Sequence, residues 1–357
     1  MKKKILVVDD SALMRRVLCD IIDADRRFEV VDKAVNGLEA LEKITNNHYD
    51  VVVLDINMPK MTGLELLKAL QDNNIPANVV MASTDTIDGA QVVIDALELG
   101  ALDFIHKPYN TLELRSERFQ TKFLEILDAA ANTEIKNYNI KVPVKEVDTS
   151  PKIMEFVSKH KSAFTGKKAI AIASSTGGPK ALQQIIPRLP GSIKVPIMIV
   201  QHMPVGFTKS FADRLNTLSE LSVKEAEEGD VLEAGWVYLA RGGHHMNAVQ
   251  SGGKLRIHYS DEPSREGVKP CANYMYESLI KSDLDEILCV VLTGMGADGT
   301  KGIRNLKTGK KIHVIAQEQS TCAVYGMPRS VVEAGLADQI IPIERIAQEI
   351  LLNVGVK

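Results

Sequence analysis

Apolar residues along the chain fall into short β-branched runs that alternate with stretches of helical periodicity. In the first third the runs are Ile5 to Val8, Val51 to Leu54, Val79 to Ala82 and Phe104 to Ile105. Between them, Met14, Val17, Leu18, Ile21 and Ile22 recur on one helical face behind Ser11, a natural N-cap, and Leu64, Leu67 and Leu70 form a second stripe. Strand and helix in alternation predict a parallel sheet covered by helices. The pattern resumes at Ala169, with strands expected at Ala169 to Ala173, Pro196 to Val200, Val237 to Ala240, Leu288 to Leu292 and Lys311 to Ala316. Helices are expected around Pro179 to Leu189, Thr208 to Leu215 and Asn273 to Lys281. Between the two patterns, periodicity from Leu112 to Leu127 fades into a polar stretch containing Pro143, Pro151 and Gly166. Ile153, Met154, Phe156 and Val157 leave room there for one short helix. The expected organisation is one α/β domain over 1–127, a connector over 128–167 and a second α/β domain over 168–357.

A chain of 357 residues exceeds the usual size of one core, which agrees with two domains. Its 43 basic and 46 acidic residues leave a net charge of −3, so nothing points to nucleic acid or an anionic membrane. The apolar run after Lys2-Lys3-Lys4 ends at Asp9-Asp10, too short for a signal peptide or a membrane span, and the expected location is the cytoplasm. Cys19, Cys271, Cys289 and Cys322 show no metal-ligand spacing and read as buried thiols.

In parallel sheets chemistry collects at the carboxyl ends of strands. Asp9, Asp10 and Asp55 follow predicted strands there, as do Ser83-Thr84 and Lys107-Pro108. Three carboxylates facing a lysine suit a hard divalent cation together with a phosphoryl group. Any one of these residues alone reads as a turn or cap; their common sheet edge argues for a site.

In the second half the strands end in Ser174-Ser175-Thr176-Gly177-Gly178, Gln201-His202-Met203-Pro204 and Thr293-Gly-Met-Gly-Ala-Asp298-Gly299. A serine, a histidine and an aspartate at one sheet edge fit nucleophilic acyl transfer: imidazole takes the hydroxyl proton, and a carboxylate orients the imidazole. Glycines let backbone approach a substrate, and free amides at a helix start can receive an oxyanion. A phosphate-cradling reading of the Ser-Thr-Gly-Gly turn lacks both a Walker lysine and GxGxxG spacing. Adjacent His244 and His245 should point to opposite faces of a strand, and no third ligand sits at zinc spacing. Met203, Met246, Met295 and Met327 either line an adaptable groove or fill core.

The segments Leu6-Val-Val-Asp-Asp-Ser11, Leu54-Asp-Ile-Asn-Met-Pro59 with Gly63, and His106-Lys-Pro108 resemble two-component receiver domains. The resemblance implies a flavodoxin-like doubly wound sheet with Asp55 as phosphoacceptor. It also implies Mg²⁺ held by Asp10, Asp55 and the Asn57 carbonyl with help from Asp9, Ser83 as the switch hydroxyl, and Lys107 as counter-charge. Thr84, next to Ser83, is the competing hydroxyl.

Ile172-Ala-Ser-Ser-Thr-Gly-Gly-Pro179, Gln201-His-Met-Pro204, Gly242-Gly-His-His245, Leu292-Thr-Gly-Met-Gly-Ala-Asp-Gly299 and Tyr325-Gly-Met-Pro328 resemble the catalytic domain of CheB methylesterases. That resemblance implies a doubly wound α/β hydrolase domain with Ser175 as nucleophile, His202 as base and Asp298 as orienting acid. Backbone amides of Thr176 and Met295 would form the oxyanion hole, and ester hydrolysis would need no cofactor. The implied partners are methyl-accepting chemoreceptors as substrate and a chemotaxis histidine kinase as phosphodonor, without nucleic acid or membrane insertion. Two residues depart from the family pattern: Ser174 stands where alanine is usual, and Arg241 where proline is usual. Rival readings are a receiver with a non-enzymatic binding output and a serine esterase acting on another ester.

Overall fold

The computed structural model describes residues 1–83, 90–108, 111–133 and 166–355. The chain divides into two compact units, one within residues 1–141 and the other within 142–357.

The first unit is built on strands β1 (Lys3–Val8), β2 (Phe28–Ala34), β3 (Val51–Leu54), β4 (Val79–Ser83) and β5 (Asp103–His106). Their order across the sheet is β2-β1-β3-β4-β5, and each pair is parallel. The order reverses direction between β1 and β3, which opens a crevice at their carboxyl ends. Helix α1 (Ala12–Ala24) buries Val17, Leu18, Ile21 and Ile22, and the Ser11 hydroxyl caps it by accepting from the Met14 amide at 3.4 Å. Helix α2 spans Gly37–Asn46 and α3 spans Gly63–Asp72. The α3 core face is Leu66, Leu67 and Leu70, with Leu64 only half-buried, a one-position rotation from the expected stripe. A capping box between Thr62 and Glu65 starts α3. Gly63 is required here, because a Cβ would lie 2.3 Å from the Asp55 carbonyl oxygen.

After α4 (Ala90–Glu98), the expected 112–127 helix divides into α5 (Thr111–Leu114) and α6 (Glu117–Ala131), with Ser116 capping α6. α6 runs past residue 127 into the stretch assigned to the connector, and Ala130 and Ala131 are buried. Thr84, Pro143, Pro151 and the helix expected at residues 153–157 lie outside the described residues.

The second unit holds a seven-stranded sheet. Its strands are β6 (Lys168–Ser174), β7 (Ile197–Gln201), β8 (Ser222–Glu225), β9 (Trp236–Leu239), β12 (Glu286–Val291), β13 (Lys311–Gln317) and β14 (Gln339–Ile341); β10 (His245–Ser251) and β11 (Lys254–Ser260) make a separate antiparallel pair. All seven strands run parallel in the order β14-β13-β12-β6-β7-β9-β8. The strand order reverses between β6 and β12, so this sheet also has a crevice where two successive strands leave in opposite directions. Its helices are α7 (Gly178–Ile185), α8 (Phe207–Leu218), α9 (Ala272–Ser278), α10 (Thr300–Gly309), α11 (Met327–Glu333) and α12 (Ile343–Val354). Met203, Met246 and Met327 are core residues, whereas Met295 is half-buried beside the crevice. Cys19, Cys271 and Cys289 are buried thiols, but Cys322 is half-exposed. No helix among the described residues is long and apolar enough to cross a membrane.

Candidate active site and receiver site

In the first unit, Asp9 and Asp10 follow β1 and Asp55 follows β3, so the crevice receives all three carboxylates within 4.8 Å of one another. Lys107, after β5, closes the cluster: its Nζ donates to Asp9 Oδ2 at 2.8 Å and lies 3.0 Å from Asp55 Oδ1. Asp9 and Lys107 are buried and Asp10 is exposed. One ammonium against three carboxylates leaves an excess of negative charge. Burial is the main cause that pushes Asp55 up to about 6, partly opposed by Lys107 and reinforced by Asp9. A hard cation with oxygen ligands fits such a cluster. Asn57 is exposed on the following loop, and Ser83 is buried at the end of β4, where its carbonyl accepts from the Lys107 amide at 2.7 Å.

In the second unit, Ser175 lies at the turn from β6 into α7, and the two hydroxyls side by side there have different surroundings. Ser174 is buried, and its Oγ donates to Gln201 Oε1 at 2.7 Å. Ser175 is half-exposed, and among the described residues its hydroxyl has no hydrogen-bond partner. The Ser175 amide donates to the Thr293 carbonyl at 3.0 Å, tying the turn to the end of β12. Gly294 makes this approach possible, since a Cβ there would fall 2.7 Å from Ser175 Cβ and 2.5 Å from Met327 Sδ.

His202, after β7, is linked to the serine turn through backbone and through Gln201. Its amide donates to the Ser174 carbonyl at 3.1 Å, while Gln201 Nε2 donates to the Ser175 carbonyl at 3.0 Å and the His202 carbonyl at 3.2 Å. His202 Nε2 lies 2.8 Å from Asp298 Oδ2, so Nδ1 is the ring nitrogen left for a serine proton.

Asp298 is buried and held from several sides. Its Oδ2 also accepts from the Ala272 amide at 2.6 Å, and its Oδ1 accepts from the Cys271 thiol at 3.0 Å and from the Asn273 and Gly299 amides, each at 2.9 Å. Burial acts to raise its pKa, but the hydrogen bonds from His202, Cys271 and Ala272 prevail, and the carboxyl is held below its ordinary range. It therefore stays ionised through the range in which a histidine changes charge.

Thr176 and Met295 flank Ser175. The Thr176 carbonyl accepts from the Thr293 hydroxyl at 3.0 Å, and that hydroxyl also accepts from the Val324 amide at 2.9 Å. The Gly294 carbonyl takes the Gly326 and Met327 amides, at 3.0 and 2.8 Å, which fixes the loop carrying Met295. Among the described residues the Met295 amide has no hydrogen-bond partner, as an oxyanion donor requires.

His245 is buried on β10 and His244 half-exposed just before it; His245 packs on Tyr274, and neither joins a metal-ligand cluster among the described residues. Arg241 is exposed; its amide donates to the Tyr259 hydroxyl at 3.1 Å, and its Nε lies 4.0 Å from Glu225 Oε2. Cys271 and Asn273 carry no local motif that marks them as parts of the site, and Gln201 and Thr293 stand in the sequence only within the segments that carry His202 and Asp298.

Residues 170–350 match the CheB methylesterase family, and residues 5–118 match the response regulator receiver domain. The chain is 42% identical over 354 residues to the protein-glutamate methylesterase/protein-glutamine glutaminase 1 of Syntrophomonas wolfei subsp. wolfei, covering 98% of this chain and 99% of that one. It is 39% identical over 351 residues to the protein-glutamate methylesterase/protein-glutamine glutaminase of Pyrococcus abyssi, covering 98% of this chain and 93% of that one. The crystal structure of the Thermotoga maritima CheB methylesterase catalytic domain is similar to it with a TM-score of 0.51 and 42% identity, covering 54% of this chain and 100% of that one.

Proposed function

The chain belongs to the CheB methylesterase family, with a response regulator receiver domain ahead of the hydrolase, and from that premise we propose how its residues do the work. It is a phosphorylation-regulated protein-glutamate methylesterase with protein-glutamine glutaminase activity, acting in chemotaxis. The proposed catalytic residues are Ser175, His202 and Asp298. The observation that carries this reading is the His202–Asp298 pair, 2.8 Å long, beside a half-exposed serine whose neighbouring hydroxyl is buried and engaged.

Ser175 Oγ attacks the glutamyl ester carbonyl as His202 Nδ1 takes its proton. The oxyanion that forms is received by the Thr176 and Met295 amides. His202 returns the proton to the leaving methoxide, and methanol departs. Water, deprotonated by the same imidazole, then cleaves the acyl-enzyme and restores the carboxylate. With glutamine the leaving group is ammonia. No cofactor enters the hydrolysis.

In the receiver, Asp55 accepts a phosphoryl group from a chemotaxis histidine kinase. Asp9, Asp10, Asp55 and the Asn57 carbonyl would hold Mg²⁺, which when bound neutralises charge on a transferring phosphoryl group. Lys107 supplies a fixed positive charge 3.0 Å from Asp55 Oδ1, and Ser83 supplies the hydroxyl that answers phosphorylation. The substrates are methyl-accepting chemoreceptors, and such partners place the chain in the cytoplasm. The proposed boundaries are a receiver over 1–127, extended by the end of α6, a connector up to residue 167 and the catalytic domain over 168–357.

A serine-directed phosphonate followed by peptide mapping tests the triad. The adduct should fall on Ser175 and disappear in His202→Ala; an adduct on Ser174, or labelling indifferent to His202, would refute the assignment.

A further inference from the structure

Asp298 has to keep its carboxylate against His202, yet it sits in a loop just ahead of α10 rather than within a strand or helix. Its position is set by an exchange of hydrogen bonds between two helix starts. Asp298 accepts the Ala272 and Asn273 amides at the start of α9. In return, the Asn273 side chain reaches the start of α10, where its Oδ1 accepts the Gly299 amide at 3.1 Å and the Gly302 amide at 2.6 Å. Asn273 is buried, and its Nδ2 faces Glu266 Oε1 at 3.4 Å. This fixes the amide orientation, because a flipped side chain would set NH₂ against two N–H donors. The helices touch at this point: a Cβ at Gly302 would meet Asn273 Cα at 2.7 Å.

We infer that Asn273 is a positioning residue for the triad, joining the segment that bears Asp298 to the helix whose amides that carboxylate accepts. Without its side chain, the Gly302 N–H loses its acceptor, the Gly299 N–H keeps only Asp298 Oδ1, and the 298–302 segment is held to α9 by the Asp298 carboxylate alone. Asp298 then drifts from His202 while Ser175 and the outer surface that meets substrate stay in place. This inference rests on the triad reading above. Its effect belongs on the chemical step rather than on substrate capture.

The test is methanol release from methylated chemoreceptor membranes by the full chain, with folding checked by thermal melting. Asn273→Ala should lower kcat by about 10- to 100-fold with KM within about twofold of wild type. Asn273→Asp combined with Glu266→Gln, which keeps an oxygen against both amides and removes the carboxylate that would face it, should restore kcat to within several-fold of wild type. A folded alanine variant with wild-type kcat, or a loss confined to KM, would overturn the role, as would failure of the folded double variant to restore kcat. If the alanine variant does not fold, Asn273→Ser decides: its shorter side chain cannot span both amides, so kcat should fall, and full kcat would overturn the inference. Ser175→Ala is run alongside. Wild-type release by that variant would overturn the triad reading itself, whereas an inactive Ser175→Ala with a full-rate Asn273→Ala would overturn only the positioning role.

Discussion

Ser174 and Ser175 differ by one position and by nearly everything else. A hydroxyl already donating to Gln201 Oε1 inside the sheet cannot reach a substrate, whereas Ser175 stands at the open side of the turn. Ser175→Ala should therefore lose at least ~10³-fold in ester hydrolysis. Ser174→Ala should retain activity within about tenfold and cost ~1–2 kcal/mol of stability, read by denaturant unfolding, because Gln201 Oε1 loses its donor. Ser175, His202 and Asp298, the proposed triad, were legible as candidates because they follow apolar runs, and the structure sets them at the carboxyl edge of one sheet. Asn273 was not legible, since it opens a helix and its partner Asp298 lies 25 positions away, a pairing no local pattern announces.

Asp55 gives a prediction in pH. Its carboxyl, ordinarily near 3.8, is pushed up to about 6 in the fold. A raised acid contributes stability below its unfolded value and loses that contribution as pH rises through its folded value. Asp55→Asn, which mimics the neutral form, should match wild type below about pH 4 and gain on it as pH rises from there to about 6. The gain should level off at ~1–3 kcal/mol in the unfolding of the receiver, reduced by the partner that Lys107 loses. An advantage largest at pH 4 would contradict the burial argument.

At the scale of elements, close backbone approach does much of the positioning. Gly294 lets the end of β12 lie against Ser175, so Gly294→Ala should push the nucleophile away and reduce kcat by about 10²-fold or more. A near-normal kcat in that variant would mean the turn has room to adjust. The central strands were readable because burial on both faces makes them continuous apolar runs. Two edge strands escaped notice, β2 with Phe-Glu-Val-Val-Asp-Lys-Ala and β8 with Ser-Val-Lys-Glu, half-solvated segments whose polar positions break the run. The β10–β11 hairpin carried a usable signal in Gly252-Gly253, both at positive φ, a pair that suits a two-residue turn. The end of α6 was misjudged because Ala129 to Ala131 carry little hydrophobic weight, although Ala130 and Ala131 are packed.

For the molecule as a whole, two parallel sheets each place their chemistry where the strand order reverses: carboxylates at β1/β3 in one, the serine turn and Asp298 loop at β6/β12 in the other. Charge distinguishes the two crevices, and only the first gathers three carboxylates among the described residues. Millimolar Mg²⁺ should therefore raise the melting temperature of the receiver transition, and Asp10→Asn should abolish most of that rise while sparing ester hydrolysis by the unphosphorylated protein. A shift of equal size in the variant would place the ion elsewhere.

The most direct measurement is methanol release from methylated chemoreceptor membranes by wild type, Ser175→Ala and Asp55→Asn, each with and without a small phosphodonor and Mg²⁺. Release that requires Ser175, and that rises with phosphodonor only when Asp55 is present, is the predicted result. Release that persists in Ser175→Ala, or that phosphodonor raises equally in Asp55→Asn, would contradict the account.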